Sequence, residues 1–303
     1  MIVTGLGQCS LDSLALVDAF PRVNTKKEVL QLLEQGGGPV ATALVALSRL
    51  GLRCLFYGAT GDDSAGRKIR QSLTDEGVDI GGLLQRGGHT SQLAFIVIEK
   101  ETAKRTIFWK RPSGEPLRPD ELGADFLKGS SFLLLDGLMH DASLFAAKKA
   151  KAMGIPVMLD AGSARPGLLD MARLSDYLVA SEECARGLGW GLAAKVLRQE
   201  KEKLGIKALT ITLGERGSIT ASGDDIFEVP AFRVKAVDTT GAGDVFHGGY
   251  LYGVLQGWDL RTAVIFASAL AAMKCRMIGG RAGIPGLSEA LRFLREKGLS
   301  FPG

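Results

Sequence analysis

Thirteen residues at 237–249, VDTTGAGDVFHGG, constrain this 303-residue chain more than any others. The stretch 231–237 before them is largely apolar, and Val245, Phe246, Tyr250, Leu251, Val254 and Leu255 follow at helical spacing. That order predicts a strand, a tight glycine turn and a helix. Gly241 and Gly243 have no side chain to hinder a close approach to the backbone. The N–H groups there open a helix, where unpaired donors and the dipole favour an anion. A carboxylate, Asp244, is out of place in such a turn if it only binds phosphate. It makes sense as a base that takes the proton of an attacking hydroxyl while the N–H groups hold the developing phosphoryl charge.

The remaining pattern surrounds this turn with an α/β chain. Residues 1–7 are a short apolar strand, and 11–20 alternate as a second. Gly5 and Gly7 lack the third glycine of a dinucleotide fingerprint, since Ser10 stands in its place and no helix follows. Asp12 reads from the residues alone as readily as a turn aspartate as a ligand. The run GGGPVATAL at 36–44 opens a helix with Val40, Leu44, Leu47 and Leu50 at helical spacing, and Pro39 suits its first turn. Residues 91–99 and 104–109 flank a polar turn as a β-hairpin. From 132 onward apolar strands at 132–136, 157–160, 177–180 and 208–213 are separated mainly by helical stretches such as 142–153 and 193–204. This alternation predicts a doubly wound, mostly parallel sheet with helices on both faces. Ligands bind at the carboxyl ends of such strands, where Asp136, Asp160, Ser181 and the Thr212, Leu213, Gly214 run fall.

Composition excludes several classes. A net charge of +4 is spread along the chain without a Lys/Arg block, so nucleic acid is not an expected partner. Cys9, Cys54, Cys184 and Cys275 form no CxxC, and His89, His140 and His247 lack ligand spacing. No apolar stretch approaches 18 uninterrupted residues. A soluble cytoplasmic protein, off the membrane, is expected.

The run DTTGAGD at 238–244 resembles the C-terminal motif of the PfkB, or ribokinase-like, carbohydrate kinases. The glycine pair before the 39–50 helix, GDDSAG at 61–66 and TLGERG at 212–217 resemble further motifs of that family. The likeness runs from Gly5 to Pro285 and is nearest to fructokinase-like and sulfofructose-kinase-like members. It implies one ribokinase-like α/β domain over 1–303 with a small β-sheet lid from about 11–35 and 89–112. It implies Asp244 as catalytic base and Gly241, Ala242 and Gly243 as anion hole. Asp12, Lys26, Gly37, Gly38 and Thr42 would bind the sugar, with Thr42 standing where the family usually has Asn. Ser181, Thr212, Gly214, Gly217, Gly241, Gly243 and Ser268 would line the nucleotide side. Asp238 and Thr240 would hold K⁺ or another monovalent cation, and Glu182 would touch Mg²⁺. The family's Asn-x-x-Glu is changed here to Ser181, Glu182, Glu183, Cys184. ATP and Mg²⁺ are the implied cofactors, and a homodimer through the lid the implied assembly.

The expected reaction moves a phosphoryl group from ATP to a primary hydroxyl of a ketohexose or related, acidic sugar. In 104–111 alternation puts Arg105, Ile107, Trp109 and Arg111 on one face and Thr106, Phe108 and Lys110 on the other. Lys110 with Lys26 or Arg105 would then meet an anionic end of the substrate. Leu138 and Lys110 depart from the sulfosugar type, which would have Arg and Asn there. A kinase for a nucleoside or other small alcohol, and a non-catalytic sugar-binding regulator, are the alternatives.

Overall fold

Phe132–Leu135 is buried over its whole length, and its alternate side chains feed two different cores. Phe132 and Leu134 pack with Val3, Phe56, Met158 and Val179, whereas Leu133 and Leu135 pack with Leu6, Leu159 and Leu178. A strand apolar on both faces belongs in the middle of a sheet covered on both sides. The computed structural model describes residues 1–301 and has that architecture.

The strands are β1 (Ile2–Leu6), β2 (Ser10–Val17), β3 (Gln31–Gly37), β4 (Arg53–Gly61), β5 (Asp79–Arg86), β6 (Leu93–Glu99), β7 (Arg105–Lys110), β8 (Phe132–Leu135), β9 (Val157–Ala161), β10 (Tyr177–Ser181), β11 (Ala208–Thr212), β12 (Ser218–Ser222) and β13 (Asp225–Val229). The helices are α1 (Pro39–Arg49), α2 (Ser64–Asp75), α3 (His140–Ala152), α4 (Leu168–Ala172), α5 (Glu182–Gly187), α6 (Ala194–Leu204), α7 (Ala242–Leu255), α8 (Leu260–Lys274) and α9 (Leu287–Glu296). Among the described residues the large sheet has the order β13-β12-β11-β10-β9-β8-β1-β4-β5. Its pairs from β5 across to β11 are parallel, and the β11-β12 and β12-β13 pairs are antiparallel. A second sheet, β3-β2-β6-β7, is the lid.

Two expectations need adjustment. Residues 79–86 and 218–229 are strands that the sequence pattern did not single out, because half of their positions are polar or glycine. Within the lid stretch expected at about 11–35, the strands are Ser10–Val17 and Gln31–Gly37, with a loop between. Lys26 therefore lies on that exposed loop.

Helix α7 is buried along most of its length, from Val245 to Gly253, between α1 and α8. Two glycines allow this. A Cβ on Gly248 would stand 2.9 Å from the Ala43 carbonyl oxygen, and one on Gly249 would stand 2.8 Å from Ala267 Cα. The close fit fixes where the N-terminus of α7 points. On the lid, Leu14, Leu16, Ile96 and Ile98 are buried on one face, with Ile278 packed against them. The lid thus rests on the loop that follows α8.

Candidate active site

Gly241 caps α7 in the left-handed conformation, φ 73°, and its Cβ would lie 2.8 Å from the Gly280 carbonyl oxygen. Only glycine meets both conditions. Asp244 follows in the first turn of α7, half-buried. Burial pushes its carboxyl up to about 7, the Asp160 carboxylate pushes the same way, and His247 and Arg105 pull back. A base poised near neutrality can accept a proton and release it again.

The turn is held from beneath. Asp238 is fully buried. Its Oδ1 accepts from Thr240 N at 2.8 Å and Thr240 Oγ1 at 2.7 Å, and its Oδ2 accepts from Gly279 N at 2.7 Å. The Lys274 ammonium, also fully buried, donates to the Asp238 main-chain oxygen at 2.9 Å. One turn into α7, His247 places Nδ1 2.6 Å from the Gly243 carbonyl, with Nε2 3.3 Å from the Val179 carbonyl and 3.4 Å from Asp160 Oδ1. His247 therefore fixes the Gly243 peptide on the side away from the mouth of the turn. His247 has no ligand spacing in the sequence, and its tie to a strand 68 residues away leaves no local signal.

The expectation of a monovalent cation at Asp238 and Thr240 does not fit these contacts. Both carboxylate oxygens and the carbonyl of Asp238 already face donors, and one of those donors is itself a cation.

Opposite the turn lies a floor made by β2, β3 and α1. Ser10 Oγ donates to Asp12 Oδ1 at 2.6 Å, and a Cβ on Gly37 would sit 2.1 Å from Asp12 Oδ2. Gly38 has φ 100°, and its Cβ would lie 2.2 Å from the Gln8 carbonyl oxygen. Burial pushes the Asp12 carboxyl up, while Ser10 and Arg281 pull it down. Thr42 is buried, and its Oγ1 accepts from Arg281 Nε at 3.3 Å. Arg281 also donates to the Gly37 carbonyl at 3.1 Å and to Ser72 Oγ at 3.0 Å. This buried guanidinium, absent from the residues singled out in the sequence, ties the loop after α8 to the floor.

The register of the small sheet decides which cations share the face of Asp12. Asp12 pairs with Ala94, and Ala94 with Trp109, so Trp109, Ile107 and Arg105 share the face of Asp12. Arg105 Nη1 donates to Thr239 Oγ1 at 2.7 Å, beside the glycine turn. Lys110 lies on the opposite face with Phe108 and Phe95. The expected joining of Lys110 with Arg105 or Lys26 is therefore not formed, because alternation sends Lys110 outward and Lys26 sits on the exposed loop.

Among the residues expected to line the nucleotide, Gly214 (φ 61°) and Gly217 (φ 97°) bracket a turn after β11. Thr212 lies at the end of that strand, and Ser268 is buried on α8. Ser181 Oγ accepts from Cys184 N at 2.9 Å and donates to the Gly162 carbonyl at 2.8 Å, so its hydroxyl caps α5. The Glu182 carboxylate, expected to touch Mg²⁺, meets Arg216 at 2.5 Å and Arg186 at 3.5 Å. Beyond the floor a cavity of about 230 Å³ is lined by Gln8, Gln92, Leu138 and Arg111 among others, with Arg111 stacked 4.7 Å from the Trp109 ring centroid. No helix among the described residues is long and apolar enough to cross a membrane.

Known proteins carry the same overall pattern. The chain is 29% identical to Fructokinase-1 of Zea mays, over 93% of this chain and 95% of that protein. It is 26% identical to a nucleoside kinase of Methanothermobacter thermautotrophicus, over 98% and 97%. A putative ribokinase from Agrobacterium tumefaciens superposes with a TM-score of 0.86 at 27% identity, covering 98% of each chain. Residues 3–286 match the pfkB family carbohydrate kinase, and with its glycine turn, buried floor and lid the chain belongs to that family.

Proposed function

We propose that the enzyme, a phosphotransferase with an alcohol acceptor, moves the γ-phosphoryl group of ATP to a primary hydroxyl of a ketohexose or related sugar. The observation that carries this is Asp244, half-buried in the first turn of α7 beside Gly241 and Gly243. The carboxylate orients the hydroxyl and takes its proton, while the turn's N–H groups meet the phosphoryl oxygens. Asp12, fixed by Ser10 and packed against Gly37, is placed to accept from other sugar hydroxyls. Mg²⁺ would enter with ATP and neutralise its phosphates. A coupled ADP-release screen across ketoses, pentoses, nucleosides and acidic sugars tests the reading. No release with any of them would sink it.

A nucleoside acceptor is the second reading, supported by the additional cavity of about 230 Å³ lined by Gln8, Gln92, Leu138 and Arg111 among others.

Arg105 and Lys110 separate the two faces of the lid. Arg105→Ala should lower kcat/KM for the acceptor at least about tenfold, since hydrogen bonds to charged groups are worth about 1.5–3 kcal/mol. Lys110→Ala should leave it within about twofold, as surface charges away from a site change little. Steady-state kinetics on both variants decides, and equal losses would refute the assignment of faces. The outer lid face, with Leu32, Phe95 and Phe108 exposed at 72%, 60% and 55%, supports pairing of two copies there. Light scattering that finds only a monomer would remove that part of the proposal.

A further inference from the structure

Lys274 closes α8 with a side chain that is 0% exposed. Burying an ammonium is costly unless its hydrogen bonds and charge are used, and a lysine fully enclosed by protein is rare. Here Nζ donates to the main-chain oxygen of Asp238 at 2.9 Å, three residues before the turn that carries the anion hole. Desolvation pulls the Lys274 pKa down, and the Asp238 carboxylate beside it pushes back. The same junction is laced by Cys275, whose carbonyl accepts from Val237 N at 2.7 Å and Asp238 N at 3.2 Å.

A monovalent cation is bound by replacing its hydration shell with oxygen atoms. The oxygens of Asp238 are committed to Thr240, Gly279 and Lys274. Arg105, hydrogen-bonded to Thr239, adds a second positive charge nearby. A further cation at Asp238 would compete with these donors for its oxygens and sit close to like charges in a poorly solvated place, where repulsion is strong.

We propose that Lys274 supplies from within the chain the positive charge that a monovalent cation would bring to the 238–240 turn, so that turnover does not depend on K⁺. Lys274 is a positioning residue. It holds the Asp238 backbone, and through it the start of the anion turn, without touching substrate.

The experiment compares K⁺, Na⁺ and choline chlorides at equal ionic strength, reading both ADP release and the melting temperature of the protein without substrates. Wild-type turnover should agree within twofold across the three salts, and K⁺ should not raise its Tm above that in choline. Lys274→Ala opens a cavity with a free carbonyl. It should lose at least tenfold in choline, recover severalfold in K⁺ or NH₄⁺, and show a K⁺-dependent rise in Tm that wild type lacks. Lys274→Met fills the space without charge, and it should stay slow in every salt. Activation of the wild type more than threefold by K⁺, or a K⁺-dependent rise in its Tm, would overturn the proposal. So would a Lys274→Ala protein as active as wild type in choline, or one that folds, is slow and ignores both K⁺ and NH₄⁺. If Lys274→Ala does not fold, the wild-type comparison still decides. Lys274's role depends on the kinase assignment only through the activity arm. If no acceptor releases ADP, that assignment fails, and the Tm arm still tests the cation claim.

Discussion

Asp244→Asn should lower kcat by about 10²–10⁴-fold, the usual value of a positioned general base, while the KM for ATP stays within a few-fold. Asn keeps the shape of the side chain and cannot accept the proton. The fold should not suffer. The Asp244 carboxyl is raised from 3.8 to about 7 in the folded chain. Between those values the folded state binds more protons than the unfolded one, so this group makes stability fall as pH rises through that window. Asparagine removes the penalty, and the variant's Tm at pH 8 should be no lower than that of wild type. In the wild type, kcat/KM for the acceptor should drop about tenfold per pH unit below about 7, where the base is protonated. Single-turnover ADP release and calorimetry check these points. A variant within a few-fold of wild-type turnover, or a flat pH profile down to pH 5, would remove Asp244 from its role.

Gly243→Ala should lose about 10²–10³-fold in kcat, the scale seen when one oxyanion contact is lost, without losing stability. A Cβ on Gly243 meets no protein atom within 4 Å, and the residue is exposed at the mouth of the turn. The added methyl therefore occupies only space that a phosphoryl group must use, and alanine is the better helix former by up to about 1 kcal/mol. Gly241→Ala makes the contrast. Its φ of 73° and the Gly280 oxygen 2.8 Å away penalise any side chain, so both activity and Tm should fall. If Gly243→Ala keeps full activity, the phosphoryl group does not pass where the turn points.

What the sequence revealed and what it hid follow from distance along the chain. The 238–244 turn, the 36–38 glycines and the strand ends at Asp160 and Thr212 are contiguous patterns, and periodicity with turn chemistry suffices to place them. Arg281 reaches Thr42 and Gly37 across 239 and 244 residues, and Lys274 reaches Asp238 across 36. Nothing local marks a lysine or arginine as buried, and composition favours the surface for both. Alternation within 104–111 correctly divided the lid residues into two faces. It could not say which face looks inward, since that depends on Ile278 and Thr239, far along the chain. The β12 and β13 hairpin went unnoticed because its mixed polar positions look like loop until β11 is beside them.

Helix α7 sits with glycine surfaces against both of its neighbours, Ala43 on one side and Ala267 on the other. A helix packed backbone to backbone has no slack, because even one extra methyl would have to move a neighbouring helix. Asp244 is mounted on that helix, so a base at this position could not be re-aimed to suit a new acceptor. On the proposed reading, adaptation to a different substrate would come from the other side of the site, through Trp109, Arg105 and the residues around the outer cavity. The chemistry of this enzyme is built like an anvil, and its specificity like an exchangeable hammer face.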